Sequence, residues 1–314
     1  MPNSRPLPRA LLKGLLFVLP LLACSAWLEE GLRRMPTALG LKRAGFEAAA
    51  AGAQVLVLGG SEAYQGLSPA LLARPGYNLA TVGQDLYYDQ ALFAAVRGRL
   101  PQLKTVIVGL SYPSLEYRLP LSPEAWRQFQ YSQVWGLTPE DAAARWDLRR
   151  FSALALMEPW PALKAAAVGF RGEAVAMGPD GWQALEPLGE DLQDLRINDL
   201  TTRKRVRYHD GLLDGGRASQ GAGWLMALAS AVDRSGAKPC LVILPVTKAY
   251  AGLVDQARLA RLRAAAAAAA QSQHGLCLDY FGDARFGDGD FADPDHLNRL
   301  GAARLASLLR TKLP

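Results

Sequence analysis

Cysteine and histidine are both scarce in this chain, with three of each in 314 residues. Cys24, Cys240 and Cys277 are too few for a disulfide framework, so a buried core must hold the fold together. A Cys240–Cys277 bond is one arrangement they allow, and two buried thiols is the simpler one. Walker loops, the dinucleotide glycine fingerprint, HExxH and cysteine–histidine metal spacings are all missing. That removes the common nucleotide and zinc chemistries, and no cofactor is expected. The densest basic run, "RKRVR" from Arg203 to Arg207, lacks the interleaved aromatics of a stacking platform. It is read as a solvated face, and nucleic acid is not an expected partner. The acidic stretch "DGDFADPD", with Asp288, Asp290, Asp293 and Asp295, lacks the twelve-residue ligand pattern of an EF-hand and its closing Glu, so no metal is expected.

What is present is apolar and basic. Half the residues are hydrophobic, enough for a full core in one large or two modest domains. A formal charge of +6 suits anionic surroundings such as phospholipid headgroups or acidic glycans. Near the start, a basic lead with Arg5, Arg9 and Lys13 precedes the uncharged run "GLLFVLPLLACSAWL", short for a membrane span but able to reach across if Leu11, Leu12 and a snorkelling Lys13 join it. Three fates compete for residues 1–30: a retained signal anchor, a cleaved secretory signal, and a lipoprotein signal cut in "LLAC" before a lipidated Cys24. All three place the rest of the chain outside the cytoplasmic membrane. The anchor is favoured, because no small-residue cleavage site is clear and "WLEEGLRR" continues as a helix.

From Val55 onward, strand, turn and helix alternate. "VLVLGG", "YNLA", "KTVIVGL", "KPCLVILPV" and "GLCLDY" read as buried strands. "LSPALLAR" reads as a helix opened by Ser68 as N-cap and Pro69 at the first position. Further helices are expected over "YYDQALFAAVRGRL", "GAGWLMALASAVDRSG", the alanine-rich "DQARLARLRAAAAAAAQSQ" and "LNRLGAARLASLLRTKL". Such alternation predicts an α/β fold with a parallel sheet covered by helices on both faces. Residues 31–314 form that domain, interrupted at about 120–218 by a mostly helical insertion. The insertion is rich in aromatics (Trp126, Phe129, Tyr131, Trp135, Trp146, Trp160, Trp182), which are read as core before ligand platform.

The chemistry is narrowed by the three histidines. His209 and His274 have no patterned acidic partner, whereas His296 lies in "FADPDHLNRLG" with Asp293 three residues before it. At that spacing a carboxylate can reach the imidazole Nδ1, fix the tautomer and leave Nε2 free as a base. Ser61 follows a buried strand, at the end of an open α/β sheet where ligands bind. Ser61, His296 and Asp293 can therefore assemble a Ser–His–Asp set. Alone, Ser61 and "DPDH" could equally be helix-capping residues.

These residues resemble the SGNH (GDSL-like) hydrolases, which carry a nucleophilic Ser after the first strand, a Gly after the second, an Asn after the third and D-x-x-H near the C-terminus. The chain offers Ser61 in "LGGSEAY", Gly83 in "NLATVGQ", and Asp293 with His296 in "DPDH", over about Val55 to Leu313 without the insertion. "GGSE" is similar to the membrane-anchored, DltD-like branch, and the flanking stretches resemble uncharacterised bacterial SGNH-like proteins. In place of the third-block Asn stands "VGLSYPS", so Ser111 or Tyr112 supplies the oxyanion donor or the donor is absent, leaving the backbone N–H groups of Ser61 and Gly83.

The resemblance implies a single-pass protein of the bacterial inner membrane with a periplasmic catalytic domain. It would act as a serine-dependent O-acyl esterase or acyltransferase on a cell-envelope or exported polysaccharide. It also implies a membrane-bound O-acyltransferase of the MBOAT type as acyl-supplying partner. Two rivals accompany it: a hydrolase that simply deacylates, and a catalytically inactive scaffold that binds glycan.

Overall fold

The computed structural model describes residues 9–157, 159–172, 176–189 and 196–313. Arg5 of the basic lead and parts of the insertion lie outside them. Five strands form one wholly parallel sheet in the order β2-β1-β3-β4-β5: β1 Val55–Gly59, β2 Gly76–Asn78, β3 Thr105–Leu110, β4 Lys238–Ile243 and β5 Leu276–Asp279. The apolar runs of β1 and β3 are buried at every position, as strands covered on both faces must be.

Alternation splits the strands into two cores. Leu56, Leu58, Val106, Val108, Leu241 and Ile243 face the larger cluster, under α4 (Leu86–Val96), α9 (Ala218–Arg234), α10 (Lys248–Leu253) and α11 (Gln256–Ser272). Val55, Val57, Ile107, Cys240 and Val242 face the other, under α3 (Ser61–Gly66) and α12 (Arg299–Arg310). The result is a three-layer α/β domain. Cys240 and Cys277 are free thiols, the first buried and the second half-buried.

The chain enters through α1 (Arg9–Arg34), whose segment Lys13–Arg34 is long and apolar enough to cross a membrane. Next, α2 (Ala38–Ala49) lies on the domain, and its Lys42 is fully buried: Nζ donates to the carbonyls of Asn78 and Gly181 and sits 4.0 Å over the Tyr64 ring. Burial pushes that ammonium well below its ordinary pKa, opposed by the charge of Asp180.

The helix expected over "LSPALLAR" is corrected. Residues 68–75 are a turn and not a helix, although Ser68 does accept from the Leu71 N–H as a cap would. Pro75 keeps Arg74 out of helical geometry, Ala73 is left-handed at φ 55°, and Asp180 takes the Ser68 hydroxyl and the Ala70 N–H. The helix that follows β1 is instead α3, beginning at Ser61 itself.

The insertion is helical only in pieces: α5 (Arg127–Trp135), α6 (Ala153–Leu156), α7 (Pro159–Ala167) and α8 (Asp199–Asp210). Residues 176–189 are irregular and run along the sheet edge, where the Asp180 carbonyl accepts from the Asn78 N–H. The aromatics divide as well. Phe129, Tyr131 and Trp135 are core, Trp182 is half-buried, and Trp126, Trp146 and Trp160 are exposed.

The close seat of α3 on β1 and β3 needs three small residues. Gly59 has φ 132°, and a Cβ there would lie 2.5 Å from the Gly109 carbonyl oxygen; a Cβ on Gly109 would lie 2.5 Å from the Ala63 methyl. Gly109→Ala is therefore expected to cost about 1–3 kcal/mol through overpacking, read as a lower urea midpoint. A midpoint equal to wild type would show that α3 can shift without penalty.

Candidate active site

In the order β2-β1-β3 the chain leaves β1 to one side and returns for β3 on the other. The crevice over the carboxyl ends of β1 and β3 is thus the switch point where open α/β sheets take ligands. Ser61 opens α3 immediately after β1, and the turn after β2 brings Gly83, at φ 71°, beside the same crevice. Ser61 and Gly83 line one cavity of about 130 Å³, together with Glu62, Tyr117, Arg205 and His209. The Gly83 turn is held from below by buried polar groups. Asp85 accepts from the N–H groups of Tyr88 and Leu119, and Gln84 bridges Asp89 and the Tyr131 hydroxyl.

His296 arrives from the opposite end of the chain, on a loop pinned at several points. The Thr247 N–H and hydroxyl both donate to the Pro294 carbonyl. The Ala292 N–H donates to the His296 carbonyl. Asn298 caps α12 by accepting from Leu300 and Gly301 while its amide donates to the carbonyls of Gly289 and Phe291. Because Asn298 does the capping, Asp293 is left for the histidine. Its Oδ1 accepts from the N–H groups of Asp295 and His296, and its two oxygens lie 2.9 and 2.8 Å from His296 Nδ1.

A carboxylate only accepts, so Nδ1 carries a proton. Nε2 then faces Ser61 Oγ at 2.9 Å, and that hydroxyl is also 3.2 Å from Glu62 Oε2. The structure thus brings together Ser61, His296 and Asp293, residues that lie 235 positions apart across the serine–histidine contact.

The electrostatics follow from burial among carboxylates. Desolvation opposes a charge on His296, but Asp295 and Asp293, with Glu62 behind them, outweigh it and raise its pKa to about 9. Burial alone would raise Asp293, yet the imidazolium beside it holds the carboxyl well below its ordinary range. Asp295 is driven the other way, upward, chiefly by its own burial.

Several residues here had no signal in the sequence. Glu62 is simply the next residue after Ser61. Asp295, inside "DPDH", pairs with Arg205 at 2.7 Å and lies 3.7 Å from His209 Nε2, whose Nδ1 is 2.6 Å from the Tyr250 hydroxyl. The reading of "RKRVR" as wholly solvated therefore fails at Arg205, and His209 does have an acidic neighbour, 86 residues away and visible only after folding. Arg205 and Tyr208 also border a second cavity of about 410 Å³ beside Asp293, with Arg196 and Lys204 at its rim.

The third block is corrected in part. The Tyr112 hydroxyl donates to Asp210 at 2.8 Å and accepts from the Asp255 N–H, so its one proton is committed away from Ser61. Ser111 borders a neighbouring pocket with Gln84 and Asp89, its Oγ 3.3 Å from that of Ser114. From the same loop it is Tyr117 that borders the Ser61 cavity, its hydroxyl 3.3 Å from where a Gly83 Cβ would stand. Tyr112→Phe should accordingly leave the reactivity of Ser61 within about twofold while costing roughly 1 kcal/mol of stability. A large loss of reactivity on that change would return Tyr112 to the site.

Three of the four aspartates considered for a metal are paired with cations or with the histidine: Asp290 with Arg304, Asp295 with Arg205 and Asp293 with His296. Glu62, Asp295 and His296 do lie within 4.8 Å of one another, close enough to share a cation. The two histidine nitrogens, however, already face Asp293 and Ser61. A roomier cavity, about 800 Å³, lies elsewhere, at the base of α1. No protein-family model matches this chain, and no curated protein does either.

Proposed function

We propose that this protein is a serine-dependent acyl-transfer enzyme, an O-acyl esterase or acyltransferase of SGNH type. The observation that carries the reading is the unbroken hydrogen-bond path from Asp293 through His296 to Ser61 Oγ. A hydroxyl is a weak nucleophile near neutral pH and needs an adjacent, oriented base. Ser61 Oγ attacks the acyl carbonyl carbon as its proton passes to His296 Nε2. The tetrahedral intermediate expels the alcohol, which takes that proton, and leaves the acyl group on Ser61. A second hydroxyl, from a sugar or from water, then gives its proton to His296 and attacks the acyl carbon, and the departing Ser61 Oγ takes that proton back from Nε2. Asp293 holds the Nδ1 proton in place throughout. The N–H groups of Ser61 and Gly83 are the oxyanion donors in this reading, and Tyr117, on the loop after β3, borders the same cavity.

Glu62 gives the serine proton a second acceptor. While His296 is an imidazolium, its Nε2–H donates to Oγ and the serine hydroxyl turns to Glu62; when His296 is neutral, the hydroxyl turns to Nε2.

The spanning-length α1 and the order Ser61, Gly83, Asp293, His296 support the membrane-anchored branch of that family, in the bacterial inner membrane with the domain in the periplasm. There the acyl acceptor is a cell-envelope or exported polysaccharide, and the acyl donor is supplied by a membrane-bound O-acyltransferase. The cations Arg196, Lys204 and Arg205 beside Asp293 suit an acceptor bearing hydroxyl or anionic groups.

The test is reaction of the full chain with a fluorophosphonate, with the adduct mapped by peptide mass. Labelling at Ser61 that Asp293→Asn weakens supports the enzyme. No labelling of folded protein at any pH favours the glycan-binding scaffold, the reading supported by a Tyr112 hydroxyl committed elsewhere. Adding an alcohol acceptor during turnover of an ester separates transferase from hydrolase by its products.

A further inference from the structure

We infer that the insertion carries a second membrane contact, an aromatic and basic collar at Trp146–Phe151 and Trp160–Val168 that beds into the headgroup layer of the same bilayer α1 crosses. Three observations carry it.

The first is length. The uncharged run from Gly14 to Leu28 is about 22 Å long as a helix, against a hydrocarbon core of about 30 Å. The helix has no slack, so its whole apolar run must be immersed and Glu29 stands at the boundary.

The second is what is fastened there. The Glu29 carboxylate accepts from the Ser152 hydroxyl and from the N–H groups of Ala153 and Leu154, and so caps α6 from within α1. Arg33, one turn on, donates to the Phe151 carbonyl. Leu32 packs with Ala162 and Ala165 of α7. The Phe170 ring lies edge-on to Trp27, centroids 5.1 Å apart, and over Gly31, where any Cβ would collide with it. The insertion is thereby held at the level where lipid meets water.

The third is the surface this segment leaves open. Trp146 is 87% exposed, Leu148 74% and Trp160 66%, and Phe151, Leu163 and Val168 are each more than half exposed. Single exposed apolar residues are ordinary, but six in one short clamped segment mark an interaction surface. Residues 143–172 carry five basic side chains against two acidic ones. Tryptophan beside arginine and lysine is the composition of a headgroup-level contact on anionic lipid. The segment is fastened to the end of the apolar run of α1, so the bilayer is the occupant its place favours.

The experiment uses the full chain with Cys24→Ser, Cys240→Ala and Cys277→Ser, so that each introduced cysteine is the one labelled, reconstituted in vesicles of phosphatidylcholine and phosphatidylglycerol. Single nitroxide labels are placed through Leu148→Cys, Leu163→Cys, Leu19→Cys and Leu300→Cys, all exposed positions. Leu19 reports the anchor and Leu300, on α12, the far side of the sheet. The labels at 148 and 163 should be open to oxygen, and at least about fivefold less accessible to a nickel chelate than the label at 300, as for residues sunk into the interface. Nickel accessibility equal to that at 300, with 19 immersed, overturns the collar and leaves the anchor standing. A label at 19 that is itself in water overturns both. Protection from oxygen and nickel alike at 148 and 163 overturns the bilayer contact in favour of a protein partner.

Discussion

His296→Ala is expected to lower turnover of an activated ester by roughly 10⁶-fold, and Ser61→Ala to bring it to the same floor, above water only by what binding and the oxyanion donors supply. The size follows from how the three groups depend on one another. Oγ gains nucleophilicity only as its proton leaves, and within hydrogen-bond range Glu62 and His296 Nε2 are the acceptors for it. Glu62, held below its ordinary pKa although burial alone would raise it, is too weak a base to take that proton. Residues that act as one unit are not additive, so the double variant should be no slower than either single one. Full-chain protein, checked for an unchanged thermal transition, followed by ester turnover and by adduct mass, decides the matter. A double variant slower by the product of the two single losses would mean that Ser61 and His296 work separately, and the proposed path would fall.

Activity should also climb with pH far beyond neutrality. A base must be unprotonated to accept the serine proton, and with His296 at about 9 only about one molecule in a hundred is ready at pH 7. The second-order rate of fluorophosphonate labelling should then rise about tenfold per pH unit and level off near pH 9. Stability should move the opposite way across the same window. The folded-state pKa of His296 lies above its ordinary 6.5, so the folded protein binds that proton more tightly than the unfolded chain does. The stabilisation is complete below about 6.5 and is lost as pH rises through about 9, on the order of 3 kcal/mol shared by the whole His296–carboxylate cluster. Glu62→Gln removes one of the negative charges that favour the imidazolium. It should shift the labelling profile to lower pH, so that at pH 7 the variant reacts faster than wild type. A profile already flat at pH 7 in wild type would show that the carboxylates do not hold the proton.

Much of this was legible along the chain, for reasons local to each segment. Val55–Leu58 and Val106–Val108 are apolar without alternation, and only a doubly covered strand uses such a run. Asp293 and His296 are close enough in sequence that a single loop sets their contact. The helix expected over "LSPALLAR", residues 67–74, failed because its apparent signals, Ser68 and Pro69, were answered by Asp180 from over a hundred residues away and by Pro75 just beyond its end. Nothing local marks Lys42, which is buried with two carbonyls as acceptors and the Tyr64 ring beneath its ammonium.

The division between sequence and structure follows the range of the forces. Apolar periodicity, turn residues and short-range capping act over a few positions, so the sequence by itself determined the alternating α/β pattern, the parallel sheet, the apolar N-terminal helix and the Asp293–His296 pair. Ion pairs, close backbone approach and hydroxyl geometry depend on groups that meet only once the sheet has closed. The tertiary structure alone decided that Ser61 stands 2.9 Å from His296, that Glu62, Asp295, Arg205 and His209 surround it, and that Tyr112 turns away to Asp210. It also decided that Glu29 ties the insertion to α1, since nothing within either segment encodes the other's position.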